Sequence, residues 1–162
     1  MLYGNHDIMA IQGNHIYTAE ADYESFGGIK GFEEAFSPKG KYGQYIRKEM
    51  NLTVTIDDTL FVHTGIVLSF AKLGIEELNK RDREVLIDTP STPELERLYN
   101  QNITHPIYTE PILNSLENPD KGPLWSRFFS DNPESVICEK VDESLKLLNV
   151  SYMKNQYLLL QL

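Results

Sequence analysis

The sequence predicts a mixed α/β (α+β) domain in which short helices lie as a cap over a sheet. Three observations predict it. Residues 52–56 (LTVTI) and 59–62 (TLFV) read as two strands joined by a tight turn. Residues 1–3 read as a further strand running into a polar turn. The stretches around these strands carry apolar residues at helical spacing. A chain of 162 residues suits one domain and can bury roughly 70% of its unfolded surface.

Met1-Leu2-Tyr3 is the first strand, and Gly4-Asn5-His6-Asp7 is the sharp turn that ends it. Gly4 permits a backbone angle or a close approach that a side chain would block. Residues 8–26 hold a short apolar turn, then Gly13-Asn14-His15, then an acidic helical segment. Gly13-Asn14-His15 copies part of the opening tetrad but reads as a turn, because Gly-Asn is a strong breaker pair and no strand precedes it. Gly27-Gly28 ends that helix. Residues 29–36 place Ile29, Phe32 and Phe36 on one helical face. After the loop Ser37-Pro38-Lys39-Gly40, residues 42–50 form a helix with Tyr42, Tyr45, Ile46 and Met50 inward.

The hairpin follows, turning at Asp57-Asp58, and its second strand ends in His63-Thr64-Gly65. Residues 66–88 carry helical spacing with Leu73, Leu78, Val85 and Leu86 inward. Thr92 is the expected cap of the next helix, residues 93–99. Residues 101–122 are polar and proline-rich, as a long surface excursion would be. Pro123-Leu124-Trp125-Ser126-Arg127 sets the single tryptophan beside an arginine. The last helix starts from Asn132 or Ser130 and runs to about Leu148, and residues 150–153 form a short strand. Residues 154–162 match no partner pattern.

Bulk properties exclude several functions. A formal net charge of −9 argues against a nucleic-acid groove, which needs dense positive charge. It leaves room for a local metal site, since metals need carboxylates. Cys138 is the one cysteine, so no internal disulfide forms, and a reducing, cytoplasmic compartment is the expected one. No apolar run approaches the ~18 residues of a membrane span, and no signal peptide is visible.

The chemistry sits at two strand ends. Asn5 offers a hard neutral amide oxygen, and His63 offers an imidazole that suits zinc, iron or manganese. Both are placed to converge on one edge of a sheet. His6 adjoins Asn5, where a protonated imidazole serves as general acid for a leaving alkoxide. That is the chemistry of phosphate-ester hydrolysis, in which two metals activate a water and neutralise the phosphate oxygens. Taken singly, each residue is more often a polar turn or a hydrogen-bonded structural histidine; taken together, at two strand ends, they bring the two readings level.

Gly4-Asn5-His6-Asp7 and Leu60-Phe61-Val62-His63-Thr64-Gly65 together resemble the calcineurin-like metallophosphoesterases. Tyr42-Gly43, the strand from Asp57 to His63, Gly122-Pro123-Leu124-Trp125-Ser126-Arg127 and the helix from Cys138 to Leu148 resemble the bacterial-like, or Shewanella-like, phosphoprotein phosphatases within them. The resemblance implies a four-layer αββα sandwich with a helical cap. It implies that Asn5 and His63 ligate one metal, that His6 is the catalytic general acid, and that Arg127 lies near the phosphate pocket. For Trp125 and Arg127 the alternative is a packed aromatic beside a surface arginine. Gly13-Asn14-His15 falls where relatives carry a turn ahead of a tyrosine, here Tyr17. Thr64 stands where many relatives have glycine or alanine.

The departures are absences. The family's Asp-x-His and Gly-Asp-x-x-Asp-Arg-Gly motifs have no counterpart before Gly4, and its Gly-His-Thr has none after Met153. The expectation is a partial metallophosphoesterase domain over residues 1–153, with an unmatched tail over 154–162. The complete family site holds two divalent ions, manganese, iron or zinc; this chain holds at most one, weakly. The implied function is metal-dependent hydrolysis of phosphate monoesters on phosphorylated proteins or small phosphoesters. Two alternatives stand beside it: a catalytically inactive phosphatase-fold fragment or interaction module, and a dinucleoside-polyphosphate hydrolase.

Overall fold

The computed structural model describes residues 1–113 and 122–155. Alternation along residues 59–62 turns Leu60 and Val62 into the core, and this strand, β2 (Thr59–Val62), is the centre of a three-stranded sheet. β1 (Thr53–Ile56) pairs antiparallel with it, Thr53 opposite Val62, so the predicted hairpin is formed. β3 (Tyr152–Asn155) pairs with the other edge of β2 in parallel, Thr59 opposite Tyr152 and Val62 opposite Asn155. The last strand thus runs two residues beyond the expected Met153 and takes in the first residues of the tail. The rest of that tail, 156–162, lies outside the described residues, as do residues 114–121 of the expected excursion.

The opening strand is not formed. Leu2 makes one isolated parallel bridge to Asn51, and α1 (Asn5–Gln12) begins immediately after Gly4. The Gly4 N–H donates to Asp7 Oδ2 at 2.8 Å, which closes the first turn as a capping box does. Ile8, Met9, Ala10 and Ile11 are all buried. A short apolar run of this kind looks the same whether it is a turn, a strand or a buried helix.

Three cap helices, α2 (Glu20–Ser25), α3 (Ile29–Phe36) and α4 (Lys41–Glu49), fall where the spacing places them. Their inward faces differ from expectation. Phe32 and Ile46 are buried, but Ile29, Tyr42 and Tyr45 are exposed. Arg47 shares the inward face of α4 with Ile46 and is 4% exposed. Its Nε donates to Leu86 O at 3.1 Å, and its guanidinium also donates to Phe36 O and Gly43 O, each at 3.0 Å. At Leu86 and Phe36, Arg47 therefore satisfies carbonyls in the last turns of neighbouring helices, which lack intrahelical partners. Burial lowers its pKa to about 10, so it remains charged at neutral pH.

The run expected as one helix over 66–88 is two, α5 (Leu68–Ala71) and α6 (Ile75–Asp88). Gly74 breaks it with φ +80°, a conformation that L side chains rarely adopt. Leu73 falls at the break and is partly exposed, while Leu78 and Leu86 are buried as expected. Ser91, not Thr92, is the N-cap of α7 (Thr92–Asn100). The excursion is corrected most. Ile107, Ile112 and Leu113 are fully buried, and Ile107 sits within a 3-10 turn at Pro106–Tyr108 that follows α7. Isolated apolar residues among prolines have no period to betray them. α8 (Phe128–Asp131) and α9 (Glu134–Leu148, N-cap Pro133) complete the chain, with α9 against α5.

One polar stripe on α6 fixes three distant backbone segments. Asn79 Oδ1 accepts from Thr53 N at 3.0 Å, and its Nδ2 donates to Thr53 O at 3.1 Å, so it pairs with the edge of β1. Arg83 donates to Arg47 O, Met50 O and Asn51 Oδ1 at 2.9, 2.6 and 2.6 Å. Asp82, 1% exposed, accepts a hydrogen bond from the Tyr3 hydroxyl.

Burial raises the Asp82 carboxyl to about 7 and pushes the Tyr3 hydroxyl up as well. A carboxyl with a higher pKa folded than unfolded stabilises the fold fully below about pH 4 and loses that contribution as pH rises through about 7. Stability is expected to fall by about 3 kcal/mol between pH 5 and pH 8 from this group. Asp82→Asn keeps an acceptor for Tyr3 and should flatten that dependence. Urea unfolding of both proteins at the two pH values checks it; parallel falls would remove Asp82 as the source.

Candidate active site

The start of α1, the carboxyl end of β2 and the turn after Gly122 meet at one place. Asn5 is the first residue of α1 and is buried; His63 follows β2 directly and is buried too. His63 Nε2 lies 2.9 Å from Asn5 Oδ1, within hydrogen-bond distance. The two predicted ligands are therefore brought together, though Asn5 sits at a helix start rather than at a strand end.

Gly4 makes that contact possible. A Cβ on Gly4 would lie 2.6 Å from His63 Cε1 and 2.7 Å from Nδ1. Its φ of −118° is ordinary, so the glycine is required by the close approach of the imidazole and not by a backbone angle. On the other side of His63, the Thr64 N–H and hydroxyl donate to Pro123 O at 3.2 and 2.8 Å. The hydroxyl of Thr64 thus anchors the turn that carries Leu124 and Trp125.

His6 is the next residue of α1. Successive helical residues point about 100° apart, so Asn5 turns inward to His63 while His6 is exposed. Its ring stacks on Tyr17, with centroids 5.1 Å apart and planes 15° apart. His6 lines a cavity of about 270 Å3 beneath the cap helices. Arg127 is the exposed residue before α8 and lines a separate cavity of about 460 Å3 with Val67, Phe129 and Lys140. Trp125 is packed against the core, and its Nε1 donates to Leu113 O at 3.0 Å.

Sequence reasoning missed the roles of Asp7 and Tyr17. Asp7 stands three residues after the cap, which is capping-box spacing and was readable. Tyr17 lies in an irregular loop, and no spacing pairs it with His6.

An amide oxygen and an imidazole nitrogen 2.9 Å apart fit adjacent positions on one divalent ion, where ligands about 2.1 Å from the metal at right angles lie about 3 Å from each other. They supply two of the four or more positions such an ion takes. Among the described residues, no group of three or more His, Cys, Asp or Glu side chains is gathered that could hold a metal.

No family model matches the chain. It is 25% identical over 151 residues to Shewanella-like protein phosphatase 1 of Plasmodium berghei (strain Anka), covering 92% of this chain and 37% of that protein. Among solved structures it resembles the cold-active protein-tyrosine phosphatase of a psychrophilic Shewanella species, with TM-score 0.64, 22% identity, and coverage of 94% of this chain and 41% of that one. A second structure of a cold-active protein tyrosine phosphatase gives TM-score 0.61 and 23% identity, covering 94% of this chain and 40% of that one. The chain has the fold of the matching part of those phosphatases, and it spans about two fifths of their length.

Gly4→Ala is expected to displace the His63 ring and to lower unfolding free energy by about 1–3 kcal/mol, as overpacking does. Urea denaturation, together with the imidazole resonances of His63 and the distant His105, checks it. A stability loss without a His63 shift would contradict the packing argument.

Proposed function

We propose that this chain carries the general-acid half of a calcineurin-like metallophosphoesterase site of the Shewanella-like protein phosphatase kind, acting on phosphate monoesters of phosphorylated proteins. The observation that carries the reading is the 2.9 Å approach of Asn5 Oδ1 to His63 Nε2, with His6 as the adjoining residue of the same helix. The resemblance of both ligand motifs, the phosphatase names of the curated relative and the solved structures, and the shared fold support it. In the complete fold, the sheet described here would be one of the two in a four-layer αββα sandwich.

Asn5 and His63 would hold one divalent ion, manganese, iron or zinc. Such an ion supplies charge neutralisation of the phosphate oxygens and a water nucleophile at neutral pH. The chain's own residues do the rest. The buried Asn5–His63 pair is held rigid by Gly4 behind the ring and by the Thr64–Pro123 hydrogen bonds beside it. His6, exposed at the turn of α1, gives a proton from its imidazole to the departing alkoxide or phenolate oxygen. Tyr17 covers one face of that ring and limits where it points. Arg127 lines a separate cavity with Val67, Phe129 and Lys140 and would contact the substrate from there.

The test uses the natural full-length protein with manganese and two substrates, 4-nitrophenyl phosphate and an alkyl phosphate. His6→Ala should lower kcat about 10²–10⁴-fold on the alkyl ester and far less on the nitrophenyl ester, whose leaving group departs without a proton. Asn5→Ala should weaken manganese binding in titration calorimetry. Undiminished turnover of the alkyl ester by His6→Ala would sink the assignment.

A further inference from the structure

The cavity beside His6 has a composition that the proposed reaction does not use. It lies between α1 and the cap helices, with a volume of about 270 Å3. Its floor is aromatic. Phe32 is buried and Phe26 and Phe36 are half-buried, in edge-to-face and tilted contact with centroids 4.6–6.1 Å apart. Two carboxylates, Asp7 and Asp22, face the same space. No lysine or arginine is among the described side chains that line it.

Each carboxylate has one oxygen engaged at a helix start. Asp7 Oδ2 accepts from Gly4 N at 2.8 Å, and Asp22 Oδ2 accepts from Ala19 N at 3.0 Å. These bonds hold the two groups in place at the starts of α1 and α2, and a carboxylate has lone pairs for further donors. The cavity therefore sets two carboxylates and three aromatic rings in one lining, beside His6, whose charge as proposed proton donor the two carboxylates outnumber.

That combination selects among occupants. An anion would meet two carboxylates. A neutral aromatic or aliphatic group would cover the rings but strip water from the acids with nothing in return, which is unfavourable. A cation on an aliphatic stem satisfies both, with its methylenes and charge over the ring faces and its N–H groups on the carboxylates. The net charge of −9 favours the same sign of ligand at long range.

We infer that this cavity is a subsite for a lysine or arginine side chain flanking the phosphorylated residue of a peptide substrate. Its place beside the phosphoryl group rests on the proposed role of His6, which lines the same cavity. The cation specificity rests on Asp7, Asp22 and the three phenylalanines alone.

The test separates the two. Short phosphotyrosine peptides carrying lysine, or its uncharged analogue norleucine, at the flanking positions are titrated into the full-length protein. The aromatic resonances of Phe32, Phe36 and Tyr17 report the cavity. The lysine peptide should bind about fivefold to tenfold more tightly than the norleucine peptide, shifting those resonances saturably, and Asp22→Asn should reduce that preference. Equal binding of both peptides, or shifts at none of the three rings, overturns the subsite. Turnover of 4-nitrophenyl phosphate is measured in the same preparation. If it is absent while the lysine preference persists, the phosphatase reading fails and the cation site stands.

Discussion

The polar stripe along α6 is the constraint on which the rest of the structure depends. Asn79, Asp82 and Arg83 sit at spacings of three and four, the same spacing that buries Leu78 and Leu86. Each reaches a backbone segment or side chain far away in sequence. Asn79 completes the edge of β1, Arg83 holds the chain where α4 leads into it, and Asp82 holds Tyr3. Tyr3 precedes Gly4 and Asn5, and β1 sets the register of β2, which ends at His63. One helix face thus fixes both halves of the candidate site from behind, without contributing a residue to it.

Much of the architecture was legible because it is periodic. The hairpin, the cap helices and α9 repeat at two or 3.6 residues, and their boundaries fall within a few positions of expectation. Three things were not legible. Arg47, Asn79 and Arg83 point inward because they answer carbonyls and strand edges that are far away in sequence, and apolar spacing cannot register an inward cation. Ile107, Ile112 and Leu113 are buried singly between prolines. The apolar stretch after Asp7 is helical because Gly4 and Asp7 cap it, a signal present in the sequence but outweighed by the apolar residues before it.

For the site, the motifs placed Asn5 and His63 on one edge, and their side chains meet. Gly4 had two explanations, and the 2.6 Å spacing to the imidazole chooses close approach. Arg127 lines a cavity of its own with Val67, Phe129 and Lys140. A helix beginning at Asn5 explains why neighbours in sequence take different surroundings. One residue of the first turn is buried against His63, and the next faces Tyr17 and open space.

The parallel pairing of β2 with β3 has a kinetic consequence. Thr59 finds Tyr152 as its partner, so most of the chain must be made before β2 gains its second neighbour. The hairpin can close early, because its strands are separated by one turn. Until β3 arrives, one side of β2 is an open edge of unpaired N–H and C=O groups, on a strand whose Leu60 and Val62 are buried in the finished fold. Contacts of such separation are slow to form and leave a nascent chain exposed to association with its neighbours. The strand that leads into His63 is therefore the last part of the sheet to be protected during synthesis.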